Sequence, residues 1–183
     1  MALITSPTVG AGGSAVCVFA EGGVGVMLTA RHIYLRHATS YRADTVICFP
    51  DGRKFLATQA TAHAQTNRDP QTTDLACLVF RYTGKAPLAV PVATAEPAPG
   101  ATLWQIGFPA ATQGRQDIRE GPCVPGPAGM VKARILIRSG NSGGGLFDNK
   151  GRLVGITVTS EDAAQNCQAV ATTTCRRFYE QTC

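Results

Sequence analysis

Ser142 lies in the run Gly140-Asn141-Ser142-Gly143-Gly144, a hydroxyl set between glycines. Glycine on either side lets the backbone turn tightly and lets another molecule approach closely. Such a turn can aim successive backbone N–H groups the same way, towards the oxyanion of a tetrahedral intermediate. A serine hydroxyl remains a weak nucleophile until a base takes its proton. Without partners the run reads as an ordinary Gly-rich hairpin loop. The candidate bases are His32, His37 and His63, and all three precede Ser142. His32 closes Leu28-Thr29-Ala30-Arg31-His32, where an apolar strand exits into a turn. A ring there can turn one nitrogen to a hydroxyl and the other to a carboxylate. His37 and His63 stand in polar stretches and read as surface histidines. Asp74 opens Asp74-Leu75-Ala76-Cys77-Leu78-Val79-Phe80, a carboxylate directly before a buried strand. Burying it is costly without a partner; on its own it reads more readily as a strand cap.

Chain order separates the possible chemistries. The pentapeptide fits G-x-S-x-G, the nucleophile elbow of α/β-hydrolases, but there the histidine follows the serine. A subtilisin-like order needs an aspartate before the histidine. None precedes His32 or His37, and Asp44 and Asp51, which precede His63, lie in no recognisable context. The order His, Asp, Ser remains, and it belongs to the two-barrel hydrolase folds.

The elements that must position these residues read as an all-β protein. In 183 residues, 20 Gly and 11 Pro separate short runs rich in Val, Ile, Thr and Phe. Strands are expected over Ser14–Ala20, Gly25–Thr29, Thr45–Phe49, Lys54–Thr61 and Leu75–Tyr82. A second set is expected over Thr102–Gly107, Gln113–Arg119, Gly129–Arg138, Gly144–Asp148, Leu153–Thr159 and Gln168–Ala171. Asp51-Gly52 and Asn149-Lys150-Gly151 are hairpin-type turns. The Pro-rich stretch Thr83–Gly100 cannot be a central strand and reads as a linker. One helical turn follows Ala30, and a C-terminal helix spans about Thr173 to Gln181, with Thr172 as its N-cap. Two sets of five or six strands suggest two small closed antiparallel barrels, each marginal alone and packed on the other. The boundaries fall at about 9–83 for the first barrel, 84–100 for the linker, 101–172 for the second barrel and 173–181 for the helix. A cleft belongs at the interface.

Composition narrows the partners. The net charge of +5 could draw an acidic partner, yet the basic residues are scattered, with only Arg53-Lys54 and Arg176-Arg177 adjacent. No basic stripe interleaves with aromatics, so a solvated basic surface is preferred over nucleic-acid binding. No apolar run approaches the roughly 20 residues a membrane helix needs. Residues 1–7 do not read as a signal peptide, and the compartment stays open. Seven cysteines cannot all pair within one chain. Cys17, Cys48 and Cys77 lie in apolar runs without C-x-x-C spacing, as small buried hydrophobes rather than zinc ligands. Cys167, Cys175 and Cys183 recur every eight residues, and their pairing is left open. No metal or other cofactor is expected.

Three ordered segments carry a family resemblance. Leu28–His32 resembles the L-T-A-A-H of trypsin-like, chymotrypsin-fold serine peptidases. Asp74–Leu78 resembles their D-I/L-A-x-L, and Gly140–Gly144 their G-D/N-S-G-G. The likeness is closer to the bacterial HtrA-like branch, through Ile106-Gly107-Phe108-Pro109, Gly140–Asp148 and Gly151–Ile156. It spans about Gly13 to Phe178, and no PDZ module lies within the 183 residues. Three positions depart from the pattern: Arg31 where a small residue is usual, Ile33 where a cysteine often follows the histidine, and Gly145 in place of proline. None removes a catalytic group, although Arg31 could alter access to the cleft.

The resemblance implies two six-stranded antiparallel barrels with a short C-terminal helix, and a serine endopeptidase acting on protein or peptide. Ser142 would form the acyl-enzyme, His32 would act as base and then acid, and Asp74 would hold the imidazole. The backbone N–H groups of Gly140 and Ser142 would make the oxyanion hole. The first specificity pocket would be walled by Ile137, Arg138 and the strand Thr157-Val158-Thr159. Ile137 and Val158 would suit a small or medium apolar side chain, an expectation that Arg138 or Glu161-Asp162 could overturn; either apolar residue could equally face the core. The strand could also pair with an extended substrate. A catalytically silent peptide-binding or scaffold module on the same fold is the alternative, and an esterase would share the acyl chemistry. Oligomeric state is not legible.

Overall fold

The computed structural model describes residues 1–6, 12–35, 45–62, 73–161 and 166–182. His37, His63, Asp44, Asp162 and Cys183 fall outside the described residues. The first half contains β1 (Ala2–Thr5), β2 (Gly12–Glu21), β3 (Val24–Thr29), α1 (Arg31–Leu35), β4 (Val46–Cys48), β5 (Lys54–Ala62) and β6 (Ala76–Arg81). Its six strands form a closed antiparallel barrel in the order β1-β2-β3-β6-β5-β4, closed where Leu3 of β1 faces Cys48 of β4. The second half contains β7 (Thr102–Gly107), a 3₁₀ turn (Ala110–Thr112), β8 (Asp117–Val124), β9 (Met130–Ala133), β10 (Gly145–Phe147), β11 (Leu153–Glu161), β12 (Asn166–Ala171) and α2 (Thr172–Thr182). A second closed barrel runs β10-β11-β12-β9-β8-β7, closed by Leu146 against Gln105. Closure satisfies the strand edges that an open sheet would expose.

Strand periodicity explains why the apolar runs are nearly continuous. Successive side chains point to opposite faces, and here both faces are buried. In β2, Ala15 and Cys17 fill the first barrel, while Val16 joins a core between the barrels. Met27 and Leu28 of β3 divide the same way, as do Leu78 and Cys77 of β6. In the second half Val154 and Ala169 fill the barrel, whereas Ile156 and Val170 meet the first half. Each buried Val, Leu or Ile contributes about 1.5–3 kcal/mol, so the shared core is a main reason the halves stay together. The Pro-rich connection is stitched to both: Val90 N–H donates to Cys17 O at 2.9 Å and Ala93 N–H to Leu153 O at 2.8 Å.

Several local expectations are revised. β1 has no counterpart among the strands expected from sequence. Strand β8 starts at Asp117, because Gln113 adopts a left-handed backbone (φ 52°) in a turn with Gly114. Strand β9 stops at Ala133, and residues 134–144 form the loop that carries Ser142. Thr172 is the first residue of α2 rather than its cap, and its buried hydroxyl makes no hydrogen bond. The six described cysteines are free thiols. No described helix is long and apolar enough to cross a membrane.

Candidate active site

The exit of β3 and the entry to β6 hold His32 and Asp74 together. Arg31 N–H donates to Asp74 O at 3.2 Å, and His32 N–H donates to Asp74 Oδ1 at 2.7 Å. The other carboxylate oxygen, Oδ2, lies 2.5 Å from His32 Nδ1. With the Nδ1 proton directed at that carboxylate, a neutral imidazole presents Nε2 as an acceptor. The side chains are 29% and 16% exposed respectively, so the pair is partly shielded while the ring stays reachable. Asp74 therefore does more than cap a strand: it fixes both the backbone and the ring of His32.

Ser142 sits on the turn before β10, half-buried. Its hydroxyl makes a long 3.5 Å contact, donating to Val158 O. No hydrogen bond joins it to His32 among the described residues. The turn nonetheless abuts the strand carrying that histidine. A Cβ added to Gly143 would run into Ser14 O and Thr29 Oγ1 and would meet Ala30 N at 3.1 Å. Gly143 also has φ +81°, so glycine is required twice over, by conformation and by close approach.

Backbone hydrogen bonds orient the turn. Ser139 O accepts from Ala110 N–H at 2.9 Å, and Asn141 O accepts from Gly144 N–H at 2.8 Å. In a trans peptide the N–H points opposite its carbonyl, so the N–H groups of Gly140 and Ser142 face away from those bonded sides. Neither has a hydrogen-bond acceptor among the described residues. Two free donors flanking a serine hydroxyl can stabilise a developing oxyanion. Ile106-Gly107-Phe108-Pro109 supports this arrangement from behind: a Cβ at Gly140 (φ +96°) would meet Phe108 O at 2.6 Å and Ala110 N at 2.7 Å.

Ser14, which carried no chemical signal in the sequence, clamps the turn from the other barrel. Its Oγ donates to Gly140 O and accepts from Phe108 N–H, both at 2.8 Å and buried. Its backbone N–H donates to Ser142 O at 2.9 Å. Thr29 Oγ1 in turn donates to Ser14 O at 2.7 Å. The residues concerned lie up to 128 positions apart, so no local pattern could have shown it. Gly12-Gly13-Ser14 at the head of an apolar strand was the only available hint.

The remaining residues named from the sequence separate by role. Arg138 is exposed at the turn's entrance, and Ile137 is half-buried against the second barrel's core. Val158 points its side chain into the core between the barrels, leaving its carbonyl at the site. Thr157 is buried, and its backbone is engaged by the serine turn: its O accepts from Gly143 N–H at 2.7 Å and its N–H donates to Gly144 O at 2.8 Å. The β10 ladder on β11 ends at Ile156, whereas pairing to β12 continues to Glu161. The edge that could receive a peptide therefore begins beyond Thr157, at Val158 and half-buried Thr159. An apolar groove lined by Phe49, Leu88, Val90, Trp104 and Phe147 includes none of His32, Asp74, Ile137, Arg138, Gly140, Ser142 or Thr157–Thr159.

Two packed six-stranded antiparallel barrels with a short C-terminal helix define a chymotrypsin-like fold. The trypsin-like peptidase domain model matches residues 13–156, and the chain belongs to that family. Among solved structures, a serine endoprotease from Yersinia pestis superposes with a TM-score of 0.76 at 22% identity, over 98% of this chain and 61% of its own. The chain thus spans under two thirds of that protein. The inactive form of the Rv3671c protease gives 0.74 at 16% identity, over 100% and 88%. A serine-to-alanine mutant of Rv3671c from M. tuberculosis H37Rv, also inactive, gives 0.71 at 15%, over 98% and 84%. No curated protein matches in sequence.

Proposed function

We propose that this chain is a serine endopeptidase that cleaves peptide bonds through an acyl-enzyme. The observation that carries the reading is the double attachment of His32 to Asp74, with Nδ1 at 2.5 Å from one oxygen and the backbone N–H on the other. A carboxylate that orients the ring in this way leaves Nε2 free as a base. Ser142 Oγ attacks the scissile carbonyl while Nε2 takes its proton; the imidazolium formed is stabilised by Asp74 and returns the proton to the leaving amine. The N–H groups of Gly140 and Ser142 receive the oxyanion. The substrate backbone lies along β11 beyond Thr157, and the residue before the scissile bond enters beside Ile137 and Arg138.

For attack, the Ser142 hydroxyl must leave Val158 O and turn to His32. That contact is at the limit of a hydrogen bond, and nucleophile–base bonds of unliganded sites often tighten only around substrate. The same observation favours the second reading, a silent peptide-binding module in which the hydroxyl stays parked. A quenched-fluorescence peptide library incubated with wild type and Ser142→Ala separates them. Cleavage by the wild type alone supports the peptidase. A folded wild type that binds peptides and leaves all of them intact supports the silent module.

A further inference from the structure

Gln105 of β7 and Asn141 of the serine turn are fully buried, and none of their four amide atoms has a hydrogen-bond partner. Leaving such groups unpaired is costly, and the two converge on one place. A Cβ built on Gly107 would meet Asn141 Oδ1 at 2.8 Å, Gln105 Nε2 at 2.9 Å and Ser14 Oγ at 3.1 Å. One built on Gly144 would meet Gln105 Nε2 at 3.0 Å and Asn141 O at 2.8 Å. The donor of one amide and the acceptor of the other thus crowd the spot where a side chain of Gly107 would begin, and the Gln105 donor crowds Gly144 as well. An amide buried at 105 calls for a partner.

We infer that Gln105 is a positioning residue: its carboxamide and that of Asn141, unpaired as the structure places them, turn to pair with each other and thereby hold the serine turn. Asn141 follows one donor and adjoins the other: its carbonyl shares a peptide group with Ser142 N–H, and its own N–H shares one with Gly140 O, the next peptide after the one that carries Gly140 N–H. Anchoring its side chain to β7 restrains rotation of the peptide group that carries Ser142 N–H and of the one that joins Gly140 to Asn141. Ser14 clamps the carbonyls and Gln105 pins the side chain between them. The role rests on reading Gly140 and Ser142 as the oxyanion donors.

The pairing itself is tested without activity. In the ¹⁵N-labelled wild type, the side-chain NH₂ protons of Gln105 and Asn141 should show a mutual nuclear Overhauser contact and slow solvent exchange. In Gln105→Met, of similar length but apolar, the Asn141 NH₂ signals should shift and exchange faster. Function is read on a cleaved peptide: kcat should fall about tenfold or more with KM changed little, as expected when a group acting in the transition state is loosened. Should Gln105→Met not fold, Gln105→Asn withdraws the amide by one methylene and serves the same comparison. Absence of the contact in the wild type overturns the inference, as does a folded variant with unchanged kcat. A wild type that neither cleaves nor labels fails the peptidase reading and takes the positioning role with it, whereas absence of the contact in an active wild type fails the inference alone.

Discussion

Replacing Ser14 with alanine should damage the site although Ser14 itself does not meet substrate. The hydroxyl bridges Gly140 O and Phe108 N–H with two buried bonds of 2.8 Å. Its removal leaves a buried acceptor and a buried donor, each costing about 1–3 kcal/mol. The space vacated is smaller than a water needs, so solvent cannot restore both bonds. A loss of about 2–6 kcal/mol results, which for a chain of this size lowers Tm by roughly 4–24 °C. Part of that loss is local to Gly140. Losing one oxyanion donor outright costs about 10²–10³ in kcat, and a loosened donor should cost less, about tenfold to a hundredfold. The assay is the rate of phosphonylation by a fluorophosphonate beside a thermal melt, for wild type and Ser14→Ala. A variant that melts and labels like the wild type refutes the clamp.

Asp74→Asn should keep the fold while slowing acylation by about 10⁴, because the ring loses the carboxylate that sets its tautomer; single-turnover kinetics check this. Gly143→Ala should abolish labelling and lower Tm, since its methyl would enter Ser14 O at a positive φ; a soluble variant with wild-type labelling would contradict the packing. Burial raises the thiols of Cys17 to about 11 and of Cys167 and Cys175 to about 12. All three should resist alkylation in the native protein at pH 8 and react in guanidinium, as peptide mass spectrometry will show. An unfolded cysteine gives up its proton near pH 8.5, so the stability these groups contribute is complete below that pH. It declines as pH rises towards 11–12, and melts across that range should fall accordingly.

The features legible in the sequence are the local ones. The strand exit at His32, the carboxylate heading β6 and the glycine-flanked serine are each short strings with a distinct chemistry, and their order alone sets aside two rival folds. Most strands are legible because alternate faces fill a barrel and a shared core, which makes their runs apolar throughout. β1 is not, because four residues, Ala2–Thr5, offer little pattern; it becomes a strand by pairing with both β2 and β4. The strand expected from Gln113 begins later because a left-handed turn at Gln113-Gly114 overrides the strand propensity of its neighbours. Ser14, Gln105 and the burial of Asn141 are invisible for a different reason. Their meaning lies in contacts across 36 to 128 positions, and a polar residue inside a strand announces no partner. Val158 shows the reverse: its sequence position suggests a pocket wall, and the β-bulge between Thr157 and Thr159 leaves only its main chain at the site.

The most direct test of the central claim is the identity of the residue that a fluorophosphonate modifies. Intact mass and peptide mapping of the treated wild type should find one adduct, on Ser142, absent from Ser142→Ala and formed far more slowly in His32→Ala. An adduct that persists in Ser142→Ala, or a folded wild type that never acquires one, would contradict the account.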